Sequence, residues 1–112
     1  FLRYQANLGN FWTQQSNLKI VSSFGYATFV KNRLHVFKYL KSKKVQTRPL
    51  ICGNVGQQPF WKKKLFKKNR LPNAEFIDKY GLYLPNHANL SLKDIDFISK
   101  YFLSSAVPIF LK

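Results

Sequence analysis

The sequence is poor in acidic residues, in cysteine and in methionine, and each shortage excludes or disfavours a class of protein. A single cysteine, Cys52, cannot form an internal disulfide, which is typical of a reducing compartment, so we expect a cytoplasmic protein. Residues 102–111, the most apolar stretch, are interrupted by serines and a proline and are shorter than the roughly 20 residues that span a bilayer. The first residues lack the pattern of a signal peptide, and we expect no membrane partner. Because the chain contains no methionine, we expect an internal or C-terminal piece of a longer protein.

Basic residues, by contrast, are abundant and unevenly placed. The chain has 19 lysines and arginines against four acidic residues, a formal net charge of +15. Residues 1–74 contain 15 of the basic side chains and no acidic one, whereas residues 75–112 contain four of each. So basic a segment attracts the phosphate groups of nucleic acids, anionic lipids or phosphorylated substrates. The alternative is a lysine-rich composition that simply follows from an AT-rich coding sequence.

The first half of the chain predicts strand, helix and strand. Residues 23–30 are rich in aromatic and β-branched side chains, which favours a strand. Asn32 is predicted to cap a helix with an apolar face, and Lys43 and Lys44 fall in its last turn, where cations complement the helix dipole. Residues 45–51 are predicted as a second strand. Pro49 has no N–H and therefore predicts that this strand lies at a sheet edge.

The C-terminal part predicts helix, strand and helix. Asn73 is expected to cap a short helix that Gly81 ends, and residues 82–85 form a third strand. Ser91 and Asp94 have the spacing of a capping box at the start of the last helix. That helix is expected to bury four apolar residues spaced by three and four, namely Leu92, Ile95, Ile98 and Phe102.

The order of these elements predicts an α+β fold, a small antiparallel or mixed sheet covered by helices on one face. An apolar content of 46% is sufficient for the core of one domain. We interpret residues 1–22 as a polar, loop-rich or helical lead-in and residues 23–112 as the domain.

Common catalytic motifs are missing from the sequence, which has no Gly-rich phosphate loop, metal-ligand cluster or catalytic Ser-His-Asp or Cys-His arrangement. His35 and His87 are interpreted as surface residues on a helix and in a turn. Residues 47–60 are more informative, because Arg48 ends a predicted strand and a Gly/Asn-rich loop follows. A guanidinium binds carboxylate or phosphate bidentately, and glycines let backbone N–H groups approach an anion. A solvated edge arginine followed by an ordinary turn explains the same residues.

Three stretches of the sequence resemble the DegT/DnrJ/EryC1/StrS sugar aminotransferases, in particular their C-terminal small domain. The first is Ser-Phe-Gly-Tyr at 23–26 with Lys-Asn-Arg at 31–33, and the second is the whole of 47–60. The third combines Leu-Pro-Asn-Ala-Glu at 71–75, residues 80–87 and Leu-Ser-Leu-Lys-Asp-Ile at 90–95. Together they extend over about residues 20–103. Family members often carry arginine where Gln57 stands.

The resemblance implies a two-domain, fold type I enzyme that uses pyridoxal phosphate (PLP) and acts as a homodimer in lipopolysaccharide or cell-surface sugar biosynthesis. Its substrates would be a nucleotide-linked keto-sugar and an amino-acid donor. The cofactor would be bound mainly by a large domain outside this chain, so the chain alone is expected to be inactive. Arg48, Asn54 and Gln58 are the candidate substrate-binding residues. A PLP- or pyridoxamine phosphate-dependent sugar 3-dehydratase of the same family is the alternative.

A nucleic-acid-binding module is a further alternative from a different class. Residues 62–68 contain five lysines, and the aromatic residues Phe60, Trp61 and Phe66 adjoin or interrupt them, a combination that allows phosphate contacts with base stacking. The sequence matches no known nucleic-acid-binding motif, and these aromatic residues fit a core equally well. Any such binding is expected to be non-specific.

Overall fold

The computed structural model describes residues 1–14, 21–51, 53–59 and 71–109. Within these ranges the secondary-structure elements are α1 Leu2–Asn7, β1 Gly25–Phe29, α2 Arg33–Ser42, β2 Arg48–Pro49, α3 Pro72–Tyr80, β3 Gly81–Pro85 and α4 Leu92–Ser105. A 3-10 turn, Val55–Gln57, lies between β2 and α3. The predicted order of strands and helices and the α+β class are confirmed.

The sheet is antiparallel and has the order β1-β3-β2 in the described residues, so the last strand of the sequence lies in the middle. Pro49 lies on an edge strand, as predicted, where its missing N–H costs no ladder hydrogen bond. The paired part of β2 is shorter than the predicted strand 45–51. The chain turns away after Leu50, because Ile51 adopts a left-handed conformation with a φ of 52°.

One face of the sheet carries the hydrophobic core. Side chains alternate between the two faces of a strand, so Tyr26 of β1 and Leu82 and Leu84 of β3 lie on the same face. The helices α1, α2 and α4 cover this face with the buried residues Tyr4, Val36, Leu40, Ile95, Ile98 and Phe102, and Leu8, which follows α1, is buried with them. The remaining helix, α3, instead places Phe76 edge-on against Phe29, which belongs to the opposite set of alternating positions.

Helix α1 packs into this core from the segment predicted as a lead-in. Tyr4 is fully buried, its ring stacks on that of Tyr26 with 4.8 Å between centroids, and its hydroxyl donates to the carbonyl oxygen of Pro85 at 2.8 Å. On the surface, Arg3 donates to both carboxylate oxygens of Asp96 on α4, each at 2.7 Å. Hydrogen bonds from Arg3 and Tyr4 therefore join the first turn of the chain to α4 and β3.

Two of the predicted helix caps differ from the structure. Asn32 precedes α2, but its side chain does not cap that helix. It donates to the carbonyl oxygen of Ser105 at 2.7 Å and accepts from the N–H of Val107 at 2.9 Å. Asn73 lies inside α3, which begins at Pro72, because the fixed φ of proline suits the first helical position.

Gly81 follows the last residue of α3, as predicted, but for a different physical reason. Its φ is −77°, so the position does not require the left-handed region that favours glycine. Space is the constraint, since a Cβ there would lie 2.6 Å from the carbonyl oxygen of Ile77 and 2.7 Å from the Cβ of Leu50. Glycine therefore lets α3 lead directly into β3.

The capping box of α4 is confirmed, whereas one of its predicted core residues is not. Ser91 Oγ accepts from the N–H of Asp94 at 3.2 Å, and Asp94 Oδ2 accepts from the N–H of Ser91 at 2.9 Å. Leu92, by contrast, is 64% exposed, because it occupies the first position of the helix, before the helix meets the core at Ile95.

Candidate functional site

A groove of about 640 Å³ lies where β2 begins and β3 ends. It is lined by residues of four segments: the start of β1, the chain from α2 into β2, the end of β3 with the following loop, and α4. The basic and acidic residues in its lining are Lys43, Lys44, Arg48, His87 and Asp94. Its apolar and aromatic lining includes Phe24, Val45, Tyr83, Leu84, Leu90 and Phe97.

Arg48 is held at this groove by the sheet. It lies directly opposite Tyr83 in the ladder between β2 and β3, so both side chains belong to the same sheet face. The residue is exposed and, among the residues that the structure describes, has no carboxylate partner. Its guanidinium is therefore available for a bidentate contact with an anion.

The two lysines of the groove are held differently. The ammonium of Lys43 lies 5.5 Å from the ring centroid of Tyr39 and 5.2 Å from that of Tyr101, which places this cation against two aromatic rings. Lys44 is exposed and adopts a φ of 61° at the C-terminal turn of α2. The ammonium of Lys44 is therefore the less constrained of the two.

Asp94, the acidic residue of the groove lining, forms part of the N-terminal cap of α4. Hydrogen bonds from the side chain and the backbone N–H of Ser91 lower the pKa of its carboxyl group, and the nearby His87 adds a smaller effect in the same direction. Asp94 therefore stays ionised at neutral pH, and its hydrogen-bonded oxygen is already satisfied by the cap. The groove lining therefore contains more basic than acidic side chains.

Asn54 and Gln58 do not line this groove. Asn54 is buried and its Oδ1 accepts from the N–H of Gly56 at 3.1 Å, so its side chain caps the 3-10 turn. Gln58 is half-buried at the end of the same turn. Gln57 Nε2 donates to Glu75 at 3.1 Å, which fastens the turn to α3. The structure thus places Arg48 in the groove and the other two candidates in the turn, and their substrate contacts remain predictions.

Sequence reasoning missed Lys44 and His87 as groove residues. The signal that could have found them is positional: Lys44 precedes a predicted strand, His87 follows another, and neighbouring antiparallel strands bring such ends together. The basic run 62–68, its aromatic neighbours Phe60, Trp61 and Phe66, and Cys52 lie outside the described residues.

The described residues do not by themselves fit PLP. Covalent attachment of PLP needs a lysine positioned in a protected site with a partner for the pyridinium nitrogen. Each lysine in the described ranges is exposed except Lys43, whose ammonium lies against Tyr39 and Tyr101. In the same ranges no three His, Cys, Asp or Glu side chains are grouped to hold a metal ion. None of the helices described is both long and apolar enough to cross a bilayer.

The fold and the sequence match one enzyme family. The model of the DegT/DnrJ/EryC1/StrS aminotransferase family matches residues 3–102, and the chain therefore belongs to this family, whose members are PLP-dependent aminotransferases and related dehydratases. No curated protein matches the chain.

Solved structures with the same fold as this chain include two enzymes. One is the E. coli GDP-4-keto-6-deoxy-D-mannose-3-dehydratase with bound hydrated PLP, at 24% identity and a TM-score of 0.74 over 89% of this chain. The other is a DegT DnrJ EryC1 StrS aminotransferase from Brucella abortus, at 21% identity and a TM-score of 0.76 over 92% of this chain. The chain spans 28% of the length of each.

Proposed function

We propose that this chain is the C-terminal small domain of a PLP-dependent nucleotide-sugar aminotransferase that supplies lipopolysaccharide or other cell-surface sugars. The net reaction exchanges the amino group of an amino acid for the carbonyl oxygen of a keto-sugar. The enzyme is proposed to be a cytoplasmic homodimer. PLP would be held by the part of the protein outside the described residues, and the chain alone would be inactive.

The observation that carries this proposal is the family match over residues 3–102 of the 112-residue chain. The groove adds chemistry that agrees with it. Arg48, which has no carboxylate partner among the described residues, lines the groove together with the rings of Phe24 and Tyr83, a combination suited to an anionic substrate with apolar parts. In this proposal the domain forms one wall of the active-site cleft and Arg48 binds a carboxylate of the amino donor or a phosphate of the nucleotide sugar.

A second candidate is a sugar 3-dehydratase of the same family. It is favoured by the similarity of fold to the GDP-4-keto-6-deoxy-D-mannose-3-dehydratase. The two reactions leave different products, since amination replaces a carbonyl oxygen with nitrogen and the dehydratase removes a hydroxyl group.

Product analysis with the full-length protein tests the proposal. The protein is incubated with PLP, glutamate and a nucleotide-linked 4-keto-sugar, and the sugar product is identified by mass spectrometry. An amino-sugar formed with one 2-oxo acid for each turnover supports the aminotransferase. A deoxygenated sugar supports the dehydratase, and recovery of unchanged sugar from a panel of keto-sugars contradicts both. The chain 1–112 alone should form no product and no borohydride-trapped adduct of PLP on one specific lysine.

Kinetics of Arg48 variants test the proposed anion contact. Arg48→Lys keeps the charge but loses the planar fork, so it should still impair the enzyme. Loss of a charged hydrogen bond costs roughly 1.5–3 kcal/mol, or about 10- to 150-fold in kcat/KM if the contact is made in the transition state. Lys38→Gln, a change at an exposed α2 residue outside the groove lining, is the control. If Arg48→Lys and Arg48→Ala both keep near-normal kcat/KM, the arginine has a structural role and does not bind the substrate anion.

A further inference from the structure

A second groove, called the edge groove below, lies between helix α2 and the outer edge of β2. It has a volume of about 620 Å³ and is lined by Phe37 and Lys41 of α2, by residues 44–47 and by Pro49. It shares residues 44–46 with the candidate substrate groove, but Arg48 does not line it. The edge groove is therefore a separate place where a molecule could bind.

The backbone at this edge has hydrogen-bonding groups without a partner. In an antiparallel ladder, alternate residues turn their N–H and C=O towards the neighbouring strand, and the residues between turn theirs away. Leu50 donates from its N–H to the carbonyl oxygen of Gly81 at 3.2 Å, so Leu50 and Arg48 face β3. Thr47 and Pro49 therefore face outwards, and no described residue bonds to their backbone groups. One N–H and two carbonyl oxygens are left to pair with an added strand.

The side chains around this edge favour an acidic partner. Lys41 and Lys44 are exposed, and none of the described residues that line the edge groove is acidic. Phe37 is half-buried and Val45 is buried, so the groove also offers apolar surface between the cations. The two ammonium groups attract a segment that carries carboxylates and repel a basic one.

We propose that the edge groove binds an extended acidic peptide segment of a partner protein, which adds a strand antiparallel to β2. Strand addition of this kind obtains affinity from main-chain hydrogen bonds and specificity from alternate side chains. Pro49 lies opposite Leu82, so its side chain belongs to the sheet face that α2 covers. Peptide residues opposite Thr47 and Pro49 share this face, and carboxylates at these positions lie on the side of Lys41. The inference goes beyond the proposed function, because it assigns a partner and not a step of the reaction.

The same residues make this edge selective. Proline and lysine on an edge strand discourage pairing with other chains. Pro49 has no N–H to donate, so an added strand forms fewer hydrogen bonds here than at an ordinary edge, and the charges must contribute to its affinity. A basic strand should therefore not bind.

Fluorescence anisotropy with labelled peptides tests the proposal on the full-length protein, without PLP or sugar. The probe is a peptide in which Glu alternates with Val, and the comparison peptide has Lys in place of Glu. The Glu peptide should bind and the Lys peptide should not. Failure of the Glu peptide to bind would show that the edge is only protected against pairing and would overturn the proposal, as would equal binding of the two peptides.

Backbone N-methylation separates strand addition from simple charge attraction. In an antiparallel addition, the Glu residues that lie on the side of Lys41 also turn their N–H groups towards β2. N-methylation of the Glu residues should therefore abolish binding, whereas N-methylation of the Val residues, whose N–H groups face away, should leave most of it. Equal binding of the two methylated peptides would overturn the added strand.

Two substitutions locate the bound peptide. Lys41→Gln should weaken binding of the Glu peptide about tenfold, equivalent to about 1.4 kcal/mol. Thr47→Pro removes the unpartnered N–H without removing a bond to β3 and should weaken binding by a similar factor. Lys38→Gln, on α2 but outside the lining, is the matched control and should change nothing. Unchanged affinity in Lys41→Gln would refute the site, even if Thr47→Pro does not fold.

Amide hydrogen exchange gives a readout that does not depend on the label. The N–H of Thr47 should exchange rapidly in the protein alone and become protected when the Glu peptide is added. Protection before any peptide is added would show that another part of the protein already covers this edge, and would overturn the proposal. Because none of these measurements involves catalysis, their failure would leave the proposed aminotransferase standing, and failure of the aminotransferase assay would leave the peptide site standing.

Discussion

Tyr4 should be one of the largest single contributors to the stability of the domain, although it lies in a segment that the sequence predicts as a lead-in. Its side chain is fully buried, its ring stacks on Tyr26, and its hydroxyl donates to the carbonyl oxygen of Pro85. Burial raises the pKa of that hydroxyl, so it stays protonated and remains a donor at any pH in ordinary use. The informative perturbations are Tyr4→Ala and Tyr4→Phe.

The two variants separate packing from hydrogen bonding. Truncation of a buried aromatic residue to alanine costs about 3–5 kcal/mol, because it leaves a cavity as well as losing burial. Tyr4→Phe keeps the ring and leaves the Pro85 carbonyl without its donor, at a cost of about 1–3 kcal/mol. Since small domains are stable by only about 5–15 kcal/mol, Tyr4→Ala should remove a large share of the free energy of unfolding.

Urea unfolding followed by far-UV circular dichroism measures these differences. Leu2→Ala on the same helix is the matched control, because Leu2 is 56% exposed and its truncation should cost no more than about 0.5 kcal/mol. The expected order of destabilisation is Tyr4→Ala, then Tyr4→Phe, then Leu2→Ala. If Tyr4→Ala is no worse than Leu2→Ala, α1 is not part of the core and the reasoning fails.

Three further substitutions test other local features. Ser91→Ala removes the cap of α4 and should lower the free energy of unfolding by about 1 kcal/mol in urea titrations; no change would mean that the cap is dispensable. Gly81→Ala places a methyl group 2.6 Å from a backbone oxygen and should cost about 1–3 kcal/mol, visible as a lower Tm; an unchanged Tm would show that the backbone yields freely. Hydrogen bonds from Arg3, then Asn7, hold the pKa of Asp96 at about 2, below its ordinary 3.8. The folded state therefore binds fewer protons than the unfolded state between these values, so stability is present above about pH 4 and falls as the pH drops towards 2. Asp96→Asn should flatten this part of a urea-midpoint profile against pH, and parallel profiles would contradict the ion pair.

Those features of the fold that depend on neighbouring residues could be predicted from the sequence. The capping box of Ser91 and Asp94 is complete within four positions, and the edge placement of Pro49 follows from its own missing N–H. Asn32 shows the limit of such reasoning. It has the residue type and position of an N-cap, yet its side chain bonds to the end of α4, more than 70 positions away in the sequence.

The candidate site was only partly predictable for the same reason. Arg48 could be selected because a strand followed by a glycine-containing loop is visible locally. The convergence of Lys44 and His87 on the same groove depends on which strands pair, and the sequence alone does not state that β3 lies between β1 and β2. Asn54 illustrates the converse case. Its Oδ1 accepts from the backbone of its own turn, a structural role that the sequence did not suggest, and its substrate contact stays a prediction.

The central position of β3 makes the assembly of the sheet a late event in synthesis of the chain. β1 ends at Phe29 and β3 at Pro85, so β1 leaves the ribosome 56 residues (85 − 29) before its partner strand is complete, and β2 must wait for the same strand. In the described sheet the two outer strands do not pair with each other, and both present open edges until β3 arrives between them. Long-range pairing of this kind slows folding. A substitution that weakens β3 should therefore prolong the aggregation-prone stage of both outer strands, whereas one in β2 should affect a single edge.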